Sequence, residues 1–464
     1  MQKKYKPSIF NIKIPIDNKQ NLVYNTLTTS LIAVNDDYYN RYIDKTGEGN
    51  DTEALTKMGF IVDSECNEIE ILKRTWEKAL SNIKDEMTSI IIAPTMACNA
   101  NCYYCFEHIP SNLPNARMAF PRMSKQVQDN IISFISLNCN NSIKIHWFGG
   151  EPLIAANEIS YMIDSLKNKG VDVISYITTN GSLIDSDMLQ KFHEWNVRKI
   201  QITIDDIGEK YNEIKKYNRK GINTDYFTIV INNIKKILNY GIRVNLRVNF
   251  DPSKISSTKN TIEYLTSKFK EYDNCYIYAA PITDNNIIPV TEEFEGEHPY
   301  YSLIKLTESQ ERFKFKVVSE NGENVYQDAI HDSLYTVKDR RILLLKKHML
   351  CPIPLPCMAV AKWSYTIDPM GQLFKCHRLL GKGDTFSAGR IIENGVVDIN
   401  HNFYDYFEKI DFPYEECLEC VVAPLCMGGC KANRILYSKG QTCCHVKAIV
   451  KNLIMDYYGE LKRM

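Results

Sequence analysis

Three cysteines constrain this chain more than any other feature. Cys98, Cys102 and Cys105 stand in the segment Ala97-Cys-Asn-Ala-Asn-Cys-Tyr-Tyr-Cys-Phe106, spaced by three residues and then by two. They follow Ser89-Ile-Ile-Ile-Ala93, an apolar run that reads as a buried strand. Three thiolates on one short loop do not complete a four-ligand metal site by themselves. They suit an iron–sulfur cube with one iron left open, which can hold a small molecule and pass it an electron. Structural zinc wants four protein ligands, usually in two pairs, and His108 is the only close candidate for a fourth. A disulfide fails on geometry and on compartment.

The compartment follows from composition. The N-terminus, Met-Gln-Lys-Lys-Tyr-Lys-Pro, has no apolar signal core, and a cytoplasmic chain is expected. Fifteen cysteines conflict with that as disulfides but not as ligands of metal clusters in a reducing cytosol. Lys+Arg equals Asp+Glu at 56 each, so nothing argues for nucleic acid or a membrane surface as partner. No apolar run approaches the ~20 residues of a membrane span. At 464 residues the chain exceeds one ordinary core, and two or three domains are expected.

Residues 1–83 read as a small α+β module. Phe10–Ile14 and Leu22–Leu27 flank the turn signal Asp17-Asn18, predicting a β-hairpin, with a third strand at Leu31–Val34. Asp36-Asp37 is expected to cap a helix to Ile43, and Asp51 or Thr52 a second through Met58, ended by Gly59. A third helix is expected from Leu72 to Ile83. The strand-rich start offers either a free sheet edge for a peptide or a packing module that covers the next domain.

From residue 84 to 285 strands alternate with helices. Strands are expected at Ser89–Ala93, Ile143–Phe148, Val171–Thr178, Lys199–Ile204, Ile242–Phe250 and Cys275–Ala279. Helices between them include Ser124–Leu137, Asn157–Asn168, Ser186–Glu194 and Phe227–Asn239. Six such units make an α/β fold, a partial (β/α)6 TIM-like barrel with chemistry at the C-terminal strand ends. Residues 286–345 read as a bridging segment, and 346–464 as a cysteine-rich domain.

The cysteine triplet resembles the radical S-adenosylmethionine (radical SAM) signature, in which three cysteines follow the first strand of a partial barrel. The resemblance implies a four-iron cluster on Cys98, Cys102 and Cys105, with Tyr104 near the adenine of S-adenosylmethionine. The next strand ends in His146-Trp147-Phe148-Gly149-Gly150-Glu151-Pro152. Paired glycines let a ligand approach the backbone, and Glu151 can receive an ammonium. The Gly149, Gly150, Glu151, Pro152 segment resembles the family motif that contacts the methionine amine. The third strand ends in Thr178-Thr179-Asn180-Gly181-Ser182, which in the family lies beside the ribose and methionine, marking Thr179 and Asn180. The fourth ends in Asp205-Asp206 where many relatives have Asp-Gly; Asp205 lines the cavity or caps a turn. Arg247 and Asn249 alternate on the fifth strand and so face the same side. A buried Arg needs an anion, which a SAM carboxylate or a plain salt bridge supplies.

The C-terminal spacing is Cys351-x5-Cys357, thirteen residues, Gly371, four residues and Cys376, then Cys417-x2-Cys420-x5-Cys426-x3-Cys430 and Cys443-Cys444. Zinc suits Cys417-x2-Cys420 taken alone. The whole array resembles the SPASM domain, which carries two auxiliary four-iron clusters. Transferred residue by residue, that likeness puts Cys351, Cys357, Cys376 and Cys430 on one cluster. It puts Cys417, Cys420, Cys426 and Cys443 on the other, with Cys444 as the alternative to Cys443. Cys66, Cys139 and Cys275 are left to pack as small apolar residues.

The resemblance implies three [4Fe-4S] clusters and S-adenosyl-L-methionine, cleaved to a 5′-deoxyadenosyl radical that abstracts hydrogen from the substrate. An electron donor such as flavodoxin or ferredoxin is implied as partner. Three functions compete. The first is a maturase for a ribosomally made precursor peptide, forming thioether or carbon–carbon cross-links. The second is an anaerobic sulfatase-maturing enzyme, which makes formylglycine. That family typically has Asp directly after the cysteine of the Gly-x4-Cys element, as a base. Here His377 stands there, in Cys376-His-Arg-Leu-Leu-Gly381, and this departure favours the first. His377 becomes the candidate catalytic residue outside the cluster loop. The third is a non-enzymatic iron–sulfur electron carrier, which has no need of the Gly-Gly-Glu-Pro segment.

Overall fold

The computed structural model describes residues 4–47, 49–81, 86–107, 122–217, 224–250, 255–282, 361–401, 414–426 and 446–462, with single positions 303, 359, 428, 432 and 436. Cys351, Cys357, Cys430, Cys443, Cys444, His108 and nearly all of 286–345 lie outside the described residues.

The N-terminal part opens with β1 (Tyr5–Pro7), β2 (Asn11–Pro15), β3 (Gln20–Asn25) and β4 (Leu31–Asn35). Strands β2-β3-β4 form an antiparallel sheet in that order. At the β2–β3 turn Asp17 accepts from the backbone N–H groups of Lys19 and Gln20. The next helix differs from the expectation. Asn35, not Asp36 or Asp37, caps it by accepting from Tyr38 N, and the turn α1 (Asp36–Tyr38) widens into a π-helix over Tyr39–Asp44. Helix α2 (Thr52–Lys57) ends before Gly59, whose φ of +82° turns the chain. Then β5 (Ile61–Asp63) pairs with β1, a pairing too short to show periodicity. Helix α3 (Glu68–Ser81) starts four residues before the expected Leu72. Buried Glu68 holds that start, accepting from Ser8 Oγ and Ile9 N.

All six expected barrel strands are present: β6 (Ser89–Ile92), β7 (Ser142–Trp147), β8 (Asp172–Thr179), β9 (Val197–Thr203), β10 (Arg243–Phe250) and β11 (Cys275–Pro281). Each pairs in parallel with the next. Between them run α4 (Lys125–Asn138), α5 (Ala156–Asn168), α6 (Ser186–Glu194), α7 (Glu209–Lys215), α8 (Tyr226–Asn239) and α9 (Ile255–Lys268). Polar side chains start several helices: Ser124, Asp185 and Asp225 each accept from the N–H three residues on.

Strand alternation sorts the two faces. Val244, Leu246, Val248 and Phe250 join the main apolar core with Ile143, Ile145 and Trp147. The intervening Arg243, Asn245, Arg247 and Asn249 share the opposite face. A parallel strand buried on both sides normally reads as apolar throughout, so this polar inner face marks a working interior.

The C-terminal part extends the same sheet. β12 (Thr366–Ile367) pairs in parallel with β6, and β13 (Gln372–Phe374), β14 (Gly389–Ile391) and β15 (Val397–Ile399) follow antiparallel. Cysteine-bearing residues 417–426 pack elsewhere, under the N-terminal sheet. Ile12, Ile14, Leu22 and Tyr24 meet Val422, Leu425, Cys426, Val450 and Ile454. Phe10, Leu72 and Trp76 meet Cys417 and Ala423. Thr26 Oγ1 also donates to Val421 O at 2.5 Å.

Leu22 is fully buried in this contact. Leu22→Ala is expected to cost about 2–5 kcal/mol through the cavity it leaves. Hydrogen exchange should then rise together over residues 10–25 and 417–426 and leave β7–β9 unchanged.

Candidate functional site

The cysteine loop leaves β6 and is fastened at once to the loop after β7. Phe148 N donates to Ile92 O at 2.9 Å, Gly150 N to Thr95 O at 3.2 Å and Glu151 N to Ala97 O at 2.8 Å. A Cβ built on Gly149 would overlap Thr95 O, and one on Gly150 the carbonyl oxygens of Met96 and Ala97. The paired glycines therefore admit the cysteine loop's own backbone. Cys98 is buried; Cys102 and Cys105 are half-buried, and none of the three is in a disulfide.

Glu151 is fully buried. It caps the 3₁₀ turn Pro152–Ala155, with Pro152 at its first position. Its Oε1 accepts from Thr179 Oγ1 at 2.7 Å and Leu153 N at 3.1 Å, and its Oε2 from Asn180 N at 2.7 Å. Desolvation raises its pKa to about 7 against the lowering effect of those donors. Thr179 and Asn180 are thus tied to Glu151, and Asn180 Nδ2 donates to Asn99 Oδ1 at 2.7 Å inside the cysteine loop. Asn99 Nδ2 in turn donates to Ser182 Oγ at 2.9 Å. Three strand ends converge on one loop.

Tyr104 and Asp205 meet directly: Tyr104 Oη donates to Asp205 Oδ2 at 2.7 Å. Lys215, which the sequence reading missed, completes the group. Its Nζ lies 2.7 Å from Asp205 Oδ2 and donates to Tyr104 Oη at 2.9 Å. Burial opposes the ammonium charge, but Asp205 and other neighbours hold the Lys215 pKa well above its ordinary value. Desolvation and the Asp205 charge keep Tyr104 protonated, with its pKa well above 10. Nothing in the Lys-rich run around Lys215 distinguishes it from a solvated face. Asp205 Oδ1 is buried with no hydrogen-bond partner. Asp205 lines a cavity of about 350 Å³ with Tyr103, Tyr104, Asp206, Asn249 and Phe250. An orphaned buried carboxylate oxygen calls for a donor, such as a ligand hydroxyl or amine.

Arg247 is half-buried and donates through Nε to Asn249 Oδ1 at 2.7 Å. His377 is half-buried, its ring 5.2 Å from Phe148 and 5.9 Å from Phe106. Desolvation and nearby Arg378 and Arg247 lower its pKa to about 4, so it stands neutral at neutral pH. Cys376 is half-buried beside it. Cys417 and Cys426 are buried and Cys420 half-buried, spread from the 3₁₀ turn Glu415–Cys417 to the short helix Ala423–Cys426, none in a disulfide. Cys275 is buried in the core, whereas Cys66 and Cys139 are half-buried.

The three-cysteine set of the barrel loop fits iron–sulfur chemistry. Cys98, Cys102 and Cys105, none in a disulfide, stand on one short, backbone-fastened loop, and among the described residues no three His, Cys, Asp or Glu side chains converge on a single-ion position. A cube is gripped at separate corners, so its thiolates need not converge.

Residues 92–265 match the family model described as the Radical SAM superfamily. The chain is 22% identical over 463 residues to a radical SAM cyclopropyl synthase of Paramaledivibacter caminithermalis, covering 95% of this chain and 89% of that one. It is 24% identical to a cysteine-type anaerobic sulfatase-maturating enzyme of Clostridium perfringens, covering 75% and 89%. Among solved structures, native anSMEcpe with bound AdoMet aligns at a TM-score of 0.54 and 19% identity, covering 80% of this chain and 99% of that one. The same protein with AdoMet and the Cp18Cys peptide aligns at 0.54 and 18% identity, with the same coverage.

One pH effect follows from the barrel interior. His146 Nε2 is 2.8 Å from Thr178 Oγ1. Desolvation, with His377 and Lys199 nearby, lowers its pKa from 6.5 to about 3. The unfolded imidazole takes a proton below pH 6.5 and the folded one only near 3. Stability should therefore fall as pH drops through that window, by about 1 kcal/mol per pH unit. His377, lowered to about 4, adds to this slope and Glu151, raised to about 7, opposes it, so the difference between the two proteins is the readout: urea midpoints measured at pH 7, 6 and 5 should fall less steeply with falling pH in His146→Gln than in the unaltered chain.

Proposed function

The barrel is a radical SAM domain, and from that premise we propose that the chain is a maturase of a ribosomally made peptide. A radical SAM domain works with a four-iron cluster and S-adenosylmethionine, which together supply a 5′-deoxyadenosyl radical that abstracts hydrogen. In this reading Cys98, Cys102 and Cys105 hold the cluster. The group of Tyr104, Thr179, Asn180, Asp205, Arg247 and Asn249 lines or braces the S-adenosylmethionine pocket. Glu151 braces the strand ends, with Gly149, Gly150 and Pro152 setting its turn. Neutral His377, on the aromatic pair Phe106 and Phe148, is available to take a substrate proton. Cys351, Cys357, Cys376 and Cys430 carry one auxiliary cluster; Cys417, Cys420, Cys426 and Cys443 or Cys444 carry the other. The electron donor is a flavodoxin or ferredoxin in the cytoplasm. No helix among the described residues is long and apolar enough to cross a membrane.

The observation that carries the peptide reading is the free side of β4. This strand pairs only with β3 and stands at the end of its sheet among the described residues. Beside it lies a cavity of about 470 Å³ lined by Ile32, Val34, Tyr38, Leu55 and Met58. The cavity also takes in Gln20, Asn35 and Asp51, so it offers both apolar and polar contacts; an unpaired edge beside a side-chain pocket is what an added peptide strand requires. The relative that spans 95% of this chain is named for a cyclopropyl product, which favours carbon–carbon bond formation over thioethers. A sulfatase-maturing role is the second reading, supported by the relatives of that name. His377 in place of the Asp expected there weighs against it.

The anaerobically reconstituted chain is expected to bind about twelve irons, three four-iron units. Replacing Cys98, Cys102 and Cys105 by Ala should abolish 5′-deoxyadenosine formation and leave about eight irons. Continued cleavage in that variant would refute the assignment, and bound zinc would overturn the auxiliary clusters.

Asn25 N donates to Ser30 O, so ladder alternation turns the Ala33 N–H to the free side of β4. Ala33→Pro removes that donor without breaking the ladder. Fluorescence anisotropy with the labelled N-terminal half of a gene-clustered precursor should show at least tenfold weaker binding, with 5′-deoxyadenosine formation retained. Unchanged binding would leave the module as a cover for the barrel.

A further inference from the structure

The cysteine loop is pinned on both sides of Cys102, and one residue supplies both pins. Asn101 N donates to the Lys215 carbonyl at 2.8 Å. Lys215 Nζ donates to Tyr104 Oη at 2.9 Å, and the same ammonium lies 2.7 Å from Asp205 Oδ2. Tyr104 closes the triangle by donating to that oxygen at 2.7 Å. The rings of Tyr104 and Tyr211 each stand 5.6 Å from Lys215 Nζ. Both the Lys215 and Asp205 side chains are 3% exposed.

Local structure explains how a lysine arrives there. Lys215 is the last residue of α7, and Lys216 follows in the left-handed region at φ 46°, so the helix stops at that point. Its carbonyl is one of the helix-end acceptors left without an intrahelical donor, and the cysteine loop supplies one. Its ammonium turns inward where lysines at helix ends ordinarily reach solvent. A buried ion pair gives little net stability, but its hydrogen bonds have direction.

We propose that Lys215 is a positioning residue for the radical site. It fixes the backbone at Asn101 and the ring of Tyr104, so that Cys102 and Cys105 are presented in a preformed arrangement before iron and sulfur assemble on them. The preformed loop spares the site the ordering cost that a slack one would incur on ligation. The functional consequence rests on the radical SAM reading of the three cysteines. The pinning does not, because every bond in it is between protein groups.

The test uses the full-length chain and three variants: Tyr104→Phe, the paired Lys215→Met/Asp205→Asn, and their combination. The paired change removes both charges, leaves none buried alone and keeps the main-chain bond from Asn101 N to residue 215, so the exchange measurement reads the side-chain pin on Tyr104. Before cluster reconstitution, amide exchange over residues 99–105 should be at least tenfold faster in the paired variant and at least threefold faster in Tyr104→Phe. Exchange in α8 and β10 should be unchanged, and the combination should exceed the paired variant by less than twofold, since both changes break one clamp. After reconstitution, the shift that S-adenosylmethionine induces in the electron paramagnetic resonance of the reduced N-terminal cluster should be lost or broadened in the paired variant.

Exchange within twofold of wild type over 99–105, acceleration spread evenly over the barrel, or multiplying effects of the two changes would each overturn the proposal. So would an unaltered resonance shift. If the paired variant does not fold, Tyr104→Phe decides, because it keeps the Lys215–Asp205 pair. Failure of the cluster assignment itself would appear separately, as 5′-deoxyadenosine made without the three cysteines.

Discussion

The close passage of two backbones governs the rest of the site. The loop after β7 lies so near the loop after β6 that neither Gly149 nor Gly150 has room for a side chain. Three backbone hydrogen bonds follow from that approach, from Phe148, Gly150 and Glu151. They hold Cys98 at the mouth of the barrel and drive Glu151 inward. Once buried, that carboxylate must find donors, and it finds them at Thr179, Asn180 and Leu153. One steric condition at two glycines thus ties the first three strand ends together.

A second set of contacts does the same for the far side of the loop. Asp205 at the end of β9, Tyr104 in the loop and Lys215 at the end of α7 form one closed hydrogen-bonded group. Between the two fastenings the loop has little freedom, although it carries no regular secondary structure of its own. This is the usual division of labour in such barrels: strands fix positions, and loops at their C-terminal ends carry the chemistry.

The N-terminal sheet has two occupied faces. Leu22 and Tyr24 of β3 point onto the segment with Cys417, Cys420 and Cys426, while Val23 packs with Ile43, Leu55 and Phe60 toward α2. The cavity beside β4 and the second cysteine group are therefore separated by one sheet. A peptide added at β4 would extend the layer that rests on those cysteines.

Much of the fold was legible because it rests on short-range patterns. Alternating and all-apolar runs located every barrel strand from Ser89 to Pro281, and punctuation by Asp, Ser and Gly located most helix ends. The first three-residue strands, β1 and β5, escaped because that length carries no period. The start of α3 escaped because Glu68 is held by Ser8 and Ile9, some sixty residues earlier. The candidate site divides in the same way. Spacing alone grouped Cys98, Cys102 and Cys105, since ligands on one loop must lie close in sequence. The resemblance to the radical SAM signature, together with their place at strand ends, marked Glu151, Asn180 and Asp205. What each of these side chains holds was decided only in three dimensions. Glu151 turned out to brace strands, the glycines to admit a backbone, and Lys215 to reach Tyr104 from over a hundred positions away. Hydrogen bonds and burial act through space, and a sequence records such partners only when they are also neighbours along the chain.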